Sequence, residues 1–505
     1  MKNRGFTLIE LLAVVILLSL LALFTIPKIL EQKENKEKQI SEAEKQVLYT
    51  DAGTYIRENN SEDITPGQVF CVNVDTLIDE DYISMDAEDF KNDTIKVTVD
   101  KNNNFVYAID NNCTGSVQIN NNYKEQILNG AIPVLNRDMI PVTIDNDGTV
   151  KKANIKEEWY KYADKKWANA VVLTDNTKYD TGDTIPEDKI KAYYVWIPRY
   201  SYKLFNSTSP IEIQIEFETN KTPKKRETEV NKYYTHPAFT YGNKELNGFW
   251  VGKFETTGTS SAPTIKPNIS PQGNQGVSTQ YTISLKLSRN SRMMKNDEWG
   301  AVAYLSHSKY GTNKQIRINN GNYITGCGAS EDDKAYSSGE CDIAYGQSTS
   351  YPQSTTGNIT GIFDMAGGSV EYVMAVRTNS EGDPLSGSSI TYNSGFNGKF
   401  GSPGSGEATE LTTGIDFPDS KNYNLYDNPN DRSNTTGDNG CNGEKCYGHA
   451  LTETKNWYGD YYRFVTNWLL RGGDRGSGAS SGIFTLDYTQ GSGYKNRSFR
   501  TVSTP

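Results

Sequence analysis

Histidine is almost missing from this 505-residue sequence, where only His236, His307 and His449 occur. Cys-x-x-Cys is absent as well, and with so few imidazoles a Cys/His zinc cluster is not expected. There is no Gly-x-Ser-x-Gly elbow, no metal-ligand His pair and no evident triad, so generic hydrolysis has no machinery to point to. Clustered cations are also lacking. The formal net charge is −10, which argues against nucleic acid as the main partner, because phosphate binding needs grouped lysine and arginine. The one weak exception is Leu451 to Pro505, with seven Lys/Arg against four Asp/Glu.

Apolar content is modest, whereas Gly, Asn, Ser, Thr and Tyr are abundant. That composition suits short strands joined by many turns better than long helices. The length exceeds what one core serves and implies about two to four domains. Cysteines number six and fall in three sequence-local pairs, Cys71 with Cys113, Cys327 with Cys341, and Cys441 with Cys446. Their even count favours disulfides in an exported chain, and the local pairing is the expected one, although spacing alone leaves the connectivity open.

The N-terminus is the most informative segment. Met1 to Gly5 is short and basic, and Phe6 to Ile26 is apolar except for Thr7, Glu10, Ser19 and Thr25, long enough to span a bilayer. A carboxylate in a membrane helix costs about 2.5–3.5 kcal/mol, so Glu10 calls for a partner. No small-x-small cleavage site follows the apolar run, which ends in Leu23-Phe24-Thr25-Ile26-Pro27-Lys28 and so disfavours ordinary signal cleavage. Gly5-Phe6-Thr7-Leu8-Ile9-Glu10 resembles the type IV prepilin motif. The resemblance implies cleavage between Gly5 and Phe6 by a prepilin peptidase, N-methylation of Phe6, and pairing of the Phe6 ammonium with Glu10 of a neighbouring pilin. Pro27 stands where that family places a helix-kinking proline.

Leu30 to Asn59 is highly charged but keeps Ile40, Ala43, Val47, Ala52 and Tyr55/Ile56 at helical spacing, which predicts the exposed half of a long helix. A hairpin is predicted over Asp93 to Asp110, where Ile95, Val97 and Val99 alternate, Asp100 to Asn104 turns and Phe105 to Ile109 returns. The expected class is α+β: a long N-terminal helix with a small antiparallel sheet, then a β-rich region and a larger domain. The expected boundaries are a leader over 1–5, a transmembrane and assembly helix over 6–60, a small β-domain over 61–118, a connecting β-region over 119–185 and the large domain over 186–505. Within the connecting region, Met139 to Lys151 reads as a hairpin around Asp147-Gly148.

In the large domain, Tyr194 to Tyr200 and Gly248 to Glu255 read as aromatic core strands. Asn296-Asp297-Glu298-Trp299 opens a helical apolar pattern through Leu305. Gly361-Ile362-Phe363-Asp364-Met365-Ala366-Gly367-Gly368-Ser369-Val370-Glu371-Tyr372, Leu470-Arg471-Gly472-Gly473 and Ser498-Phe499-Arg500 follow in that order. Together these resemble the formylglycine-generating-enzyme (sulfatase-modifying) branch of the C-type lectin fold and the variable proteins of diversity-generating retroelements. Three positions depart from the pattern: Gly368 replaces an Asn, Tyr372 a Trp and Ser498 a Gly. The enzymes of that branch use a redox-active cysteine pair between the R-G-G and F-R strands. Between Arg471 and Arg500 this chain has no cysteine, and thiolate chemistry needs a thiol, so the chain is not expected to be an enzyme. Asp364 and Glu371 read as turn and strand-pairing residues.

In non-enzymatic relatives of that fold the same segment forms an exposed ligand face. Here it carries Asp474, Arg475, Phe484, Asp487, Tyr488, Gln490, Tyr494, Lys495, Asn496 and Arg497 among glycines and serines. Tyr and Arg among small residues is a paratope composition, since rigid rings give contact area at low entropy cost. The expectation is a minor or tip pilin presenting a non-catalytic adhesion head, with a pseudopilin of a secretion or DNA-uptake system as the alternative and an exported enzyme behind both. Expected partners are other pilin subunits, the prepilin peptidase, membrane lipid before assembly, and an extracellular protein or glycan. The expected location is the cell membrane and then the extracellular filament. No cofactor or metal is expected; lectin-fold relatives hold structural calcium, but no spacing here places one.

Overall fold

A computed structural model describes residues 45–505 apart from 46, 57–63, 80–81, 84–89, 102–103, 116–131, 156, 158, 221–223, 322, 329–340, 342, 379–381, 388–393, 400–409, 427–442, 455–456 and 460–466. Gly5, Phe6, Glu10, Pro27 and Cys441 lie outside the described residues. Among those described, no helix is long and apolar enough to cross a membrane. The chain divides into two compact units, Met1–Gln126 and Ile127–Pro505.

In the first unit three antiparallel strands, Val69–Asn73, Thr94–Val99 and Phe105–Ile109, lie side by side in chain order. The hairpin has the predicted register, with Ile95 opposite Ile109 and Val99 opposite Phe105. Its turn is closed twice, by the Asp100 N–H donating to the Asn104 carbonyl at 2.9 Å and the Asn104 N–H donating to Asp100 Oδ1 at 2.8 Å. Alternation puts Ile95, Val97 and Val99 on one face, where Leu48, Ala52, Tyr55 and Ile56 of the helix over 45–56 pack. One expectation is corrected here. Val47 is exposed and its neighbour Leu48 is fully buried, so the apolar stripe runs through 48, 52, 55 and 56, whose spacing of four, three and one stays on a single face. Ile40 and Ala43 lie outside the described residues. A disulfide joins Cys71 to Cys113 and ties the first strand to the chain leaving the third.

The second unit is built on a seven-stranded sheet. Its order is Ser291–Met293, Thr501–Ser503, Gly248–Gly252, Ile190–Pro198, Asn169–Leu173, Met139–Ile144 and Val150–Lys152. The stretch expected as a connecting region thus supplies three strands of this sheet, and Met139–Ile144 and Val150–Lys152 form the hairpin read around Gly148. Both aromatic strands stand at its middle as core elements, with Trp196 opposite Trp250 and their rings 5.2 Å apart. Residues 501–503 slot between strands whose positions in sequence are some 250 and 210 residues earlier.

A second sheet has Val370–Arg377 at its centre, antiparallel to Trp468–Gly472 and parallel to Asn424–Tyr426 and Arg497–Phe499, with Gly482–Thr489 beyond Trp468–Gly472. The helix Asn296–Ser306 is buried along its whole length. A helix covered on every side needs small residues where backbones touch. Gly300 meets that need, since a Cβ there would overlap the Gly448 carbonyl. Cys327 and Cys341 are bonded, and Cys446 is also in a disulfide.

Candidate functional site

The four sequence motifs converge on a set of buried charges. In the helix motif, Glu298 accepts from the Lys295 N–H at 2.8 Å and from both terminal nitrogens of Arg292, while Trp299 Nε1 donates to the Ile483 carbonyl at 2.7 Å. Asp364, held at a φ of 64°, accepts from Asn319 Nδ2 at 2.7 Å and from the Gly326 N–H at 2.9 Å. Glu371 and Arg500 form a two-pronged pair, at 3.1 Å through Nε and 2.6 Å through Nη2, and the same guanidinium also donates to the Gly252 and Phe363 carbonyls. The Arg471 nitrogens go to Asn296 Oδ1 and to the carbonyls of His449, Ala450 and Phe484.

Glu255, beside this network, was not singled out by sequence. Burial, with Glu371 and Asp364 nearby, holds its carboxyl well above the ordinary range. Oε1 accepts from Ser498 Oγ at 2.7 Å and from the Ser369 N–H at 3.1 Å, and Oε2 has no hydrogen-bond partner among the described residues. The departures from the resembled pattern have local reasons. Ser498 serves Glu255. Tyr372 is buried with its hydroxyl donating to the Ser492 carbonyl at 2.8 Å. Gly368 sits at a φ of 70°, the left-handed region that Asn and Gly both tolerate.

Two glycine pairs bring the motifs' backbones into contact. The Gly367 N–H donates to the Gly472 carbonyl at 3.0 Å, the Gly368 N–H to the Asn319 carbonyl at 2.7 Å, and the Arg475 N–H to the Gly368 carbonyl at 3.0 Å. A Cβ on Gly367 would overlap the Asn319 carbonyl oxygen. This rigid seam aims the segment that follows Gly473.

Along that segment the expected face divides. Phe484 belongs to the core, packed among Tyr304, His307, Trp457 and Tyr458, because both faces of its strand are covered from Gly482 to Leu486. Farther along the strand, Asp487 is exposed and Tyr488 is half-buried against the core. Gln490 is half-buried. The remaining residues come together. Asp474 accepts from Asn496 Nδ2 at 2.7 Å and from the Gly476 N–H and Ser477 hydroxyl. The Arg475 guanidinium stacks on Tyr323 at 4.2 Å, and that of Arg497 on Tyr494 at 4.6 Å. Lys495 and Tyr494 are exposed. Tyr323 and Ser492 complete this face. Tyr323, some 150 residues away from Arg475, carried no signal in the sequence.

Comparison with known families speaks to the other end of the chain. Residues 1–26 match the prokaryotic N-terminal methylation motif. The motif implies an exported protein of the type IV pilin or pseudopilin kind, anchored in the inner membrane, processed by prepilin peptidase and assembled with pilins. No match was found among curated proteins.

Proposed function

We propose that this protein is a minor or tip pilin whose second unit is a non-catalytic, C-type-lectin-like head that binds an extracellular ligand. The observation that carries the reading is the pair of stacked arginine–tyrosine contacts, Arg475 on Tyr323 and Arg497 on Tyr494, in a unit of a chain that also carries the methylation motif. Rigid rings and guanidinium forks are what binding surfaces use for affinity. The lectin-like reading is supported by the order of the four motifs and by their meeting in one buried network. The non-catalytic reading is supported by the burial of all three histidines and by the structural partners that occupy Asp364, Glu371 and Glu298.

Immunogold labelling of sheared filaments tests the proposal. Label on filaments, concentrated at ends, is expected. Label confined to the cell membrane overturns it in favour of a pseudopilin, whose deletion abolishes export or DNA uptake and spares adhesion. Oxidation of a cysteine-containing peptide above background by the intact protein overturns the non-catalytic part.

A further inference from the structure

Arg497 and Lys495 stand out in a chain of net charge −10. Neither has a carboxylate within ion-pair distance among the described residues. Arg497 spends one nitrogen, Nη1, on the Ser492 carbonyl and hydroxyl, both at 3.1 Å, with the Tyr372 hydroxyl at 3.5 Å. Its Nε and Nη2 meet no acceptor in the described residues, so one edge of a planar donor fork is uncommitted. Lys495, next in the row, is exposed.

This corner is also fixed before any ligand arrives. The Asn274 N–H donates to the Tyr494 carbonyl at 2.8 Å and the Val277 N–H to the Gly491 carbonyl at 3.2 Å. Cβ atoms at Gly273 and Gly493 would fall 2.5 Å from the Lys495 carbonyl oxygen and the Asn274 carbonyl carbon, so the two loops meet backbone to backbone. Tyr494 is 55 % exposed and its ring is capped on one side by the guanidinium. Two carboxylates face the corner. Asp474 is committed to Asn496, Gly476 and Ser477, and the charge of exposed Asp487 is felt at the Tyr372 hydroxyl.

Resting on the reading of the second unit as a ligand-binding head, we infer that the Tyr494–Lys495–Arg497 corner binds a carboxylate-bearing polysaccharide of the uronate kind. A fixed guanidinium edge matches a carboxylate with two parallel hydrogen bonds, and exposed Lys495, two residues before Arg497, adds a second positive charge. The exposed Tyr494 ring suits the C–H face of a pyranose, and the Ser492 hydroxyl hydrogen and Asn496 Oδ1, which remain beside the Arg497 and Asp474 contacts, supply neutral hydrogen-bonding groups of the kind sugars need. Two cations are too few for a nucleic acid backbone, whose binding rests on many phosphate contacts.

The test is binding of the intact protein in detergent micelles to immobilised polygalacturonate, with dextran as the neutral arm and poly-L-glutamate as the peptide arm. Polygalacturonate is expected to bind, dextran not, and poly-L-glutamate at least tenfold more weakly. Arg497→Gln and Lys495→Gln should each lower polygalacturonate binding about tenfold, the order of one charge-assisted contact, and added salt should weaken it. Lys495 is exposed, so its variant reports on the ligand even if the Arg497 variant misfolds. Absent polygalacturonate binding, equal binding to poly-L-glutamate, or no change in the Lys495 variant overturns the inference. Labelled filaments with any of those outcomes sink the uronate assignment alone, whereas unlabelled filaments sink the head-on-a-pilus reading beneath it.

Discussion

At the residue scale, the second unit keeps ionisable groups inside by giving each a neutral or opposite partner. Lys253 is the clearest case: its Nζ donates to Asn169 Oδ1 at 2.9 Å and to the carbonyls of Ile359 and Gly361 at 2.6 and 2.9 Å. Histidines are treated differently. Burial pushes His236 down to about 3 and His449 down to about 4, so both are neutral in the folded state at pH 7. In the unfolded chain they take up protons near pH 6.5. Their contribution is therefore complete above that value and is lost as pH falls toward 4, by roughly 3 kcal/mol for His449 alone. Glu453 acts with the opposite sign. Burial pushes it up to about 7, against the pull of the Tyr202 and Tyr304 hydroxyls and the Gly448 N–H. Its folded form binds a proton between pH 7 and the ordinary carboxylate range, which offsets part of the histidine loss. Glu255 and Glu371, also held up by burial, act in the same sense as Glu453, so the measurement is made against the parent protein: in urea unfolding from pH 7 to 4, His449→Asn should lose less stability than the parent and Glu453→Gln more. A Glu453→Gln variant that loses less than the parent would reverse this assignment.

At the element scale, turns decide more than strands. Gly182 and Gly367 both have φ in the left-handed region, at 89° and 75°, but only Gly367 also faces a carbonyl where a Cβ would go. Gly182→Ala should cost about 1–2 kcal/mol, the backbone term alone, and Gly367→Ala roughly 2–4 kcal/mol because the overlap adds to it. Urea midpoints of the two variants measure the difference, and equal losses would mean that the seam yields. Elements also mark how far the sequence could be read. The hairpin from Asp93 to Asp110 was legible because alternation, turn and return lie within one short segment. Phe484 was not, since its burial follows from Trp457 and His307, which the local pattern does not reveal. Val47 and Leu48 are adjacent apolar residues in a charged run, and the sheet that chooses between them is formed later in the chain. The hairpin around Gly148 could be recognised as strands, but its membership in the seven-stranded sheet runs through Asn169–Leu173 and Ile190–Pro198, outside the segment that shows it.

At the scale of the whole molecule, the two units are tied by different means. In the first, the Cys71–Cys113 bond closes a loop with a sequence separation of 42, which by chain entropy stabilises it by about 4 kcal/mol. The second depends on Thr501–Ser503, which pairs with Gly248–Gly252 on one side and Ser291–Met293 on the other. Removing residues 499–505 also deletes Arg500 and leaves Glu371 buried without its counter-ion. Limited proteolysis should then degrade the region after Ile127 while the Cys71–Cys113 unit survives; a protected second unit would show that the late strand is dispensable.

The position of that late strand bears on how the protein is made. A ribosome and an export channel deliver residues in order, so the gap between Gly248–Gly252 and Ser291–Met293 stays open until almost all of the second unit has emerged. During that interval two strand edges are unpaired and each can accept the wrong partner. The seven-stranded sheet is consequently completed only once residues 501–503 have emerged, and until then its two open edges are what each copy has to keep from pairing wrongly.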